Sequence, residues 1–193
     1  TKINKKDLSS INKKFNLENF ISFKGIKQGI ENTNYLIKSK NKKFILTIFE
    51  KRVEKKEIPF FMKLMDQLSN LNINCPKPLK TQRGHYLIKI KNKMACVVTF
   101  LTGKDKKKLN SKNCFDVGKI IARMHLSSKK IKIYRKNSMG IKNLGSLLKS
   151  IKFKSKKSSN LENFLRVNLR EIKNKWPKKL PHGIIHGDLF IDN

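Results

Sequence analysis

Acidic residues are scarce in this chain: 13 Asp and Glu stand against 46 Lys and Arg over 193 residues, giving a net charge of +33 and a pI near 10.3. Arginine is scarce too. Arg52, Arg83, Arg123, Arg135, Arg166 and Arg170 are all there are, and the other 40 basic residues are lysines, spread along the whole length beside many Asn and Ile. Clustered cations and a pI above about 9 are the footprint of nucleic-acid binding. The shortage of Arg, which suits bidentate base and phosphate contacts, and the lack of zinc-finger spacing or an RNP-like aromatic motif weigh against that partner. Charge alone speaks to non-specific association, and a Lys-, Asn- and Ile-rich composition is what an AT-rich coding sequence produces.

Cysteine is also sparse. Cys75, Cys96 and Cys114 are far apart and odd in number, and no CxxC or Cys/His metal spacing passes through them. They are expected to be reduced, mostly buried small hydrophobes of a cytosolic protein. No run of about 18 apolar residues exists, and the opening TKINKKDLSS has no apolar core of a signal peptide, so neither a membrane span nor secretion is expected. No internal repeat is found. What is present suffices for a sizeable core: 38% of the residues are hydrophobic and 12 are Phe, which disfavours outright disorder.

The pattern predicts a short helix over about Lys5 to Phe15, then a hairpin. Two β-branched-rich runs, Asn34 to Ser39 and Phe44 to Phe49, flank the polar turn Lys40-Asn41-Lys42 and follow the glycine-containing segment Gly25 to Gly29. A helix comes next, with Phe61, Leu64, Met65, Leu68 and Leu71 on one 3.6-residue face and Pro59 in its first turn. Two further strands are predicted over Gly84 to Ile90 and Met94 to Leu101. Beyond Gly103 the pattern is helical: one helix capped by Asn110 or Ser111 shows a face of Cys114, Val117, Ile121 and Met124. Another is predicted behind a capping box at Ser159 to Glu162, with Leu161, Phe164, Leu165, Leu169, Ile172 and Trp176 at helical spacing. The Lys- and Ser-rich stretch from Lys129 to Lys157 reads as a solvated loop or face. The chain is thus expected to be α+β: residues 1–102 a lobe of antiparallel sheet plus helix, residues 103–193 a helical lobe, with a ligand cleft between them.

The strongest chemical pattern lies at the C-terminal end. A short apolar run, Gly183-Ile184-Ile185, delivers His186-Gly187-Asp188 into a loop, and Asn193 follows the Asp by five residues. Phosphoryl transfer from ATP uses this spacing: an Asp accepts the proton of the acceptor hydroxyl, and an Asn carried round by the loop ligates magnesium on the phosphates. By itself the spacing equally fits an Asp/Asn-containing turn after a strand, with His186 a structural histidine. Ahead of the hairpin, Gly29 would allow close backbone approach to phosphate, while Asn32 and Thr33 offer side-chain donors.

Taken in order, the segments GIENTNYLI (Gly29 to Ile37), FILTIFE (Phe44 to Glu50), IPFFMKLMDQL (Ile58 to Leu68), CPKPL (Cys75 to Leu79), VGKIIARMHL (Val117 to Leu126) and IIHGDLFIDN (Ile184 to Asn193) resemble kinases of the aminoglycoside phosphotransferase and choline kinase type. Within that superfamily they look most like the homoserine kinase branch. The resemblance implies a protein-kinase-like two-lobed fold and ATP- and Mg2+-dependent phosphorylation of the L-homoserine hydroxyl, a step of threonine biosynthesis. Choline, an aminoglycoside or another amino alcohol is the alternative acceptor. It implies Asp188 as catalytic base, His186 as the residue positioning the loop, and Asn193 as a magnesium ligand. Gly29, Asn32 and Thr33 match the nucleotide loop, and Phe100, Leu101 and Thr102 match the hinge that meets adenine. Thr47 falls where kinases of this kind carry the strand lysine that holds the α- and β-phosphates, so the phosphate-neutralising cation is left unassigned. The superfamily also has a second metal-binding Asp after the catalytic loop, whereas this chain ends at Asn193 and starts at Thr1. It is therefore expected to be a fragment with an incomplete helical lobe and little turnover of its own.

Overall fold

The computed structural model describes the chain except for residues 18, 19, 28–30, 51–53, 105, 139, 154, 155, 192 and 193, and the side chains of 20 and 156–158. It groups into two compact units, residues 1–133 with 183–193, and residues 134–182.

The first unit opens with α1 (Lys5–Phe15). Asn4 and Asp7 cap it reciprocally: the Asp7 N–H donates to the Asn4 side chain and the Asn4 N–H to the Asp7 carboxylate. Leu8, Ile11 and Phe15, at helical spacing, form its buried stripe. Five strands follow in an antiparallel sheet of order β1-β2-β3-β5-β4: β1 (Phe20–Ile26), β2 (Asn32–Ser39), β3 (Lys43–Phe49), β4 (Leu87–Ile90) and β5 (Lys93–Thr99). Between β3 and β4 lies α2 (Ile58–Asn70), with Pro59 in its first turn where a missing N–H costs nothing.

Alternation along the strands divides the sheet into two faces. Tyr35, Ile37, Phe44, Leu46, Ile48, Ala95 and Val97 are buried with the α1 stripe in the main core. On the opposite face Cys96 and Val98 pack with Ile58 and Met62 of α2, joined by Ile45, Phe49, Phe61 and Met65. The buried side of α2 is thus rotated slightly from the expected Phe61–Leu64–Leu71 face, because Ile58 and Met62 reach the sheet.

Three strand expectations change. β1 was not anticipated: FISFKGI has too little alternation to stand out, yet it pairs along β2 from Phe20 to Ile26. The run from Gly84 shortens to β4, since Gly84, at φ +80°, closes a turn with its N–H on the Thr81 carbonyl. β5 stops at Thr99, two residues before Leu101.

The unit continues into α3 (Ser111–Ser128), capped by Asn110 with Asn113 in return. The expected Cys114 face exists but is poorly covered: Ile121 and Met124 are half-buried, whereas Cys114 and Val117 are exposed. Cys114 is therefore not a buried hydrophobe, in contrast to Cys96.

The second unit holds α4 (Ile141–Ser150) and α5 (Lys156–Lys175), which contact each other. α4 was expected as loop; its apolar residues, Ile141, Leu144, Leu147 and Leu148, were hidden in a Lys- and Ser-rich stretch, and Leu148 is buried. The capping box at Ser159 is overturned, because α5 begins at Lys156 and Ser159 is already inside it. Among the described residues, no helix is long and apolar enough to cross a membrane.

Candidate functional site

Residues 32–37 of β2 distribute their side chains by the two-residue period of a strand. Asn32 lies opposite Phe49, Asn34 opposite Thr47 and Leu36 opposite Ile45, all on the α2 side and all half-buried. Thr47 Oγ1 donates to Asn34 Oδ1 at 2.9 Å, a bond directly across the β2–β3 ladder. Beside them burial pushes the Cys96 thiol up to about 12, so it is not a thiolate at neutral pH.

Thr33 takes the other face. Its hydroxyl donates to Glu50 Oε1 at 2.5 Å, and Lys93 at the start of β5 bonds the second carboxylate oxygen. The amino group and hydroxyl of Thr1 also reach Glu50, at 2.7 and 3.2 Å. The Lys93 ammonium first, then the Thr1 amino group and the Thr33 hydroxyl, hold the Glu50 carboxyl well below the usual carboxylate range. Of the two donors expected in the nucleotide loop, Asn32 therefore shares a face with Thr47, and Thr33 is engaged behind the sheet. Gly29 lies outside the described residues.

The residues expected at the hinge follow β5 directly. The Phe100 N–H still donates to the Lys43 carbonyl at 3.1 Å, and the Lys43 ammonium sits 5.6 Å from the Phe100 ring centroid. Leu101 and Thr102 are exposed coil. Glu54 is also exposed and pairs with Lys56 at the surface.

The C-terminal segment belongs to the same compact unit as the sheet. It starts beside α3: a Cβ built on Gly183 would stand 4.0 Å from Ser128 Oγ, whose hydroxyl donates to the His125 carbonyl at the helix end. His186 and Asp188 follow in exposed, irregular backbone, and Gly187 between them has φ +78°, a conformation that favours glycine. Asn193 lies outside the described residues.

Asn34 was not singled out in the sequence, although its position shows there: counting by twos from Asn32 places Asn32 and Asn34 together and separates Thr33 from both. The structure thus brings together Asn32, Asn34 and Thr47 on one face, and keeps His186 and Asp188 on a loop of the same unit.

Comparison with known proteins fits this arrangement. The homoserine kinase of Parvibaculum lavamentivorans is 32% identical over 198 residues, spanning 100% of this chain and 60% of that protein. The homoserine kinase of Agrobacterium fabrum is 36% identical over 194 residues, with the same coverage of each. The chain therefore spans about 60% of the length of these curated relatives. In structure it is similar to an amicoumacin kinase solved with AMP-PNP, Ca2+ and its antibiotic, with a TM-score of 0.72 at 16% identity over 100% of this chain and 60% of the other. That likeness shows the α+β, protein-kinase-like fold expected from the sequence, with its antiparallel sheet and helix in the first lobe. The sequence profile of the phosphotransferase enzyme family matches residues 22–193, from within β1 through the His186-Gly187-Asp188 loop, and the chain belongs to that family.

Proposed function

We propose that this chain carries the nucleotide-binding lobe and catalytic loop of a cytoplasmic kinase that transfers the γ-phosphoryl group of ATP to the side-chain hydroxyl of L-homoserine. The observation that carries the choice of acceptor is similarity along the whole chain to proteins named homoserine kinase, at 32% and 36% identity. The lobe boundary is placed at Phe100 to Gly103, where β5 gives way to exposed coil.

Within this reading the α2 side of the sheet meets the nucleotide, with Gly29 and Asn32 at the phosphates and the backbone of Phe100, Leu101 and Thr102 at adenine. Thr33 acts through Glu50 by fixing the start of β2. Asp188 accepts the proton of the acceptor hydroxyl as it attacks, and His186 positions the loop. The side-chain carbonyl of Asn193 offers an oxygen ligand to a cation, which fits a hard ion such as Mg2+. When bound, the ion offsets the negative charge on the transferring phosphoryl group.

The test is a coupled assay of ADP release by the full-length gene product, with ATP, Mg2+ and a panel of L-homoserine, choline and an aminoglycoside. Turnover is expected with L-homoserine. Rapid turnover of choline or the aminoglycoside with none of homoserine would overturn the choice of acceptor, and failure to bind any ATP analogue would overturn the kinase reading.

A further inference from the structure

We infer that the side-chain amide of Asn34 takes the place of the strand lysine and donates to the phosphate oxygens of the nucleotide. The inference rests on the proposal above that the α2 side of the sheet meets ATP.

Kinases of the protein-kinase type hold the α- and β-phosphates with a lysine on their third strand. Here that position is Thr47, whose side chain is too short and uncharged for the task. None of the three lysines on β2, β3 and β5 substitutes: Lys38 of β2 is exposed and pairs with Lys43, four residues along β3 from Thr47. Lys43, at the far end of β3, stands over the Phe100 ring, and Lys93 of β5 is bonded to Glu50 on the opposite face.

Thr47 does something else. Its hydroxyl donates to Asn34 Oδ1 at 2.9 Å, directly across the ladder. An amide has one acceptor end and one donor end, and this bond occupies the acceptor end. The rotamer is thereby fixed with the two N–H groups of Nδ2 turned from Thr47, and a hydrogen bond received at the carbonyl polarises the amide and strengthens them as donors. Asn34 is half-buried and makes no further side-chain hydrogen bond among the described residues. A pre-oriented neutral donor supplies direction where a lysine supplies charge. With a net charge of +33, the chain already attracts anions at long range without a cation at this point.

The experiment compares affinities for AMP-PNP and adenosine in the full-length gene product, by calorimetry, for the wild type, Asn34→Asp, Thr47→Val and the double variant Asn34→Ala/Thr47→Lys. Asn34→Asp replaces the donor end with a carboxylate at constant shape and is expected to weaken AMP-PNP about tenfold or more, with adenosine within about twofold. Thr47→Val frees the amide to rotate and should weaken AMP-PNP by a smaller factor, about threefold. The double variant, with an ammonium restored on β3, should recover AMP-PNP binding. The nucleotide reading itself fails if the wild type binds neither ligand. The Asn34 inference alone fails if the wild type binds AMP-PNP and both single variants match it, or if adenosine and AMP-PNP weaken together, as a merely structural role would produce. Should Asn34→Asp not fold, Thr47→Val and the double variant carry the same comparison.

Discussion

Thr33 and Glu50 meet at a hydrogen bond of 2.5 Å between the start of β2 and the residue that follows β3, and Lys93 of β5 closes on the same carboxylate. One acidic side chain thus ties the ends of three strands together. Because its partners hold Glu50 in the charged form, its folded-state pKa lies below its ordinary value of 4.5. A carboxyl depressed in this way contributes stability that is fully present above the unfolded value and is lost as pH falls below it.

Glu50→Gln should therefore be less stable than the wild type at pH 7, and the gap should narrow progressively once pH drops below about 4.5. Urea midpoints measured from pH 3 to pH 7 on both proteins check this. A gap that stays constant across that range would mean that the carboxylate charge plays no part.

The three cysteines differ in environment, and their order of modification follows. Cys114 is exposed on α3; burial raises the Cys75 thiol; and Cys96, buried between the sheet and α2, is pushed up to about 12. Under native conditions at pH 8, maleimide should label Cys114 first, Cys75 more slowly and Cys96 only on unfolding. Peptide mapping by mass spectrometry over a time course gives the order directly.

Much of this fold is written locally in the chain. α1, β2, β3 and α3 were legible because each has a strong period, and the last also has a capping residue at Asn110 where one was expected. β1 was not legible: its FISFKGI run owes its strand form to pairing along β2, which is a tertiary cause. α4 was missed because Lys and Ser dominate its neighbourhood and mask a short apolar stripe. At the site, the spacing from His186 to Asp188 could be read directly, whereas the distinct fates of Asn32, Thr33 and Asn34 required strand register. Burial was the least legible property. Periodicity identified the apolar stripe of α5, yet Leu161, Phe164 and Ile172 are exposed on it and Trp176 is exposed just past its end, since a period specifies a face and not what covers it.

The main core should be most sensitive at β3. Leu46 is 0% exposed in the centre of the face packed under α1. Leu46→Ala removes buried methyl groups and leaves a cavity, so it should cost about 3 kcal/mol. Ile21, on β1, is 65% exposed, and Ile21→Ala should stay within about 0.5 kcal/mol. Urea denaturation of both variants checks the contrast, and equal losses would place the core elsewhere.

The β4–β5 hairpin turns on two residues, Lys91 and Asn92, since Ile90 pairs with Lys93. Both have positive φ, 45° and 63°, as the tight hairpin turn that matches strand twist requires. No glycine relieves that conformation, and asparagine is the better tolerated of the two residues there. Asn92→Gly should therefore hold or raise the melting temperature, whereas Asn92→Val should lower stability by about 1–2 kcal/mol. Thermal melts of the pair test the turn; a valine variant as stable as the wild type would contradict it.

Asp188 provides the most direct functional test. It stands in the exposed loop after Gly187, in the same compact unit as the sheet. If it accepts the proton of the acceptor hydroxyl, removing its charge at nearly constant shape should act on the chemical step and spare nucleotide binding. Asp188→Asn in the full-length gene product should then lower kcat by about 10²–10⁴-fold while the affinity for an ATP analogue changes little. Steady-state kinetics paired with calorimetry separates the two quantities. Near-normal kcat would remove Asp188 from the base role, and a large loss of nucleotide affinity would move it to ligand binding. The contrast with Asn34 is instructive: substitution there is expected to act on nucleotide affinity, so the two variants should fall on opposite sides of the division between binding and chemistry.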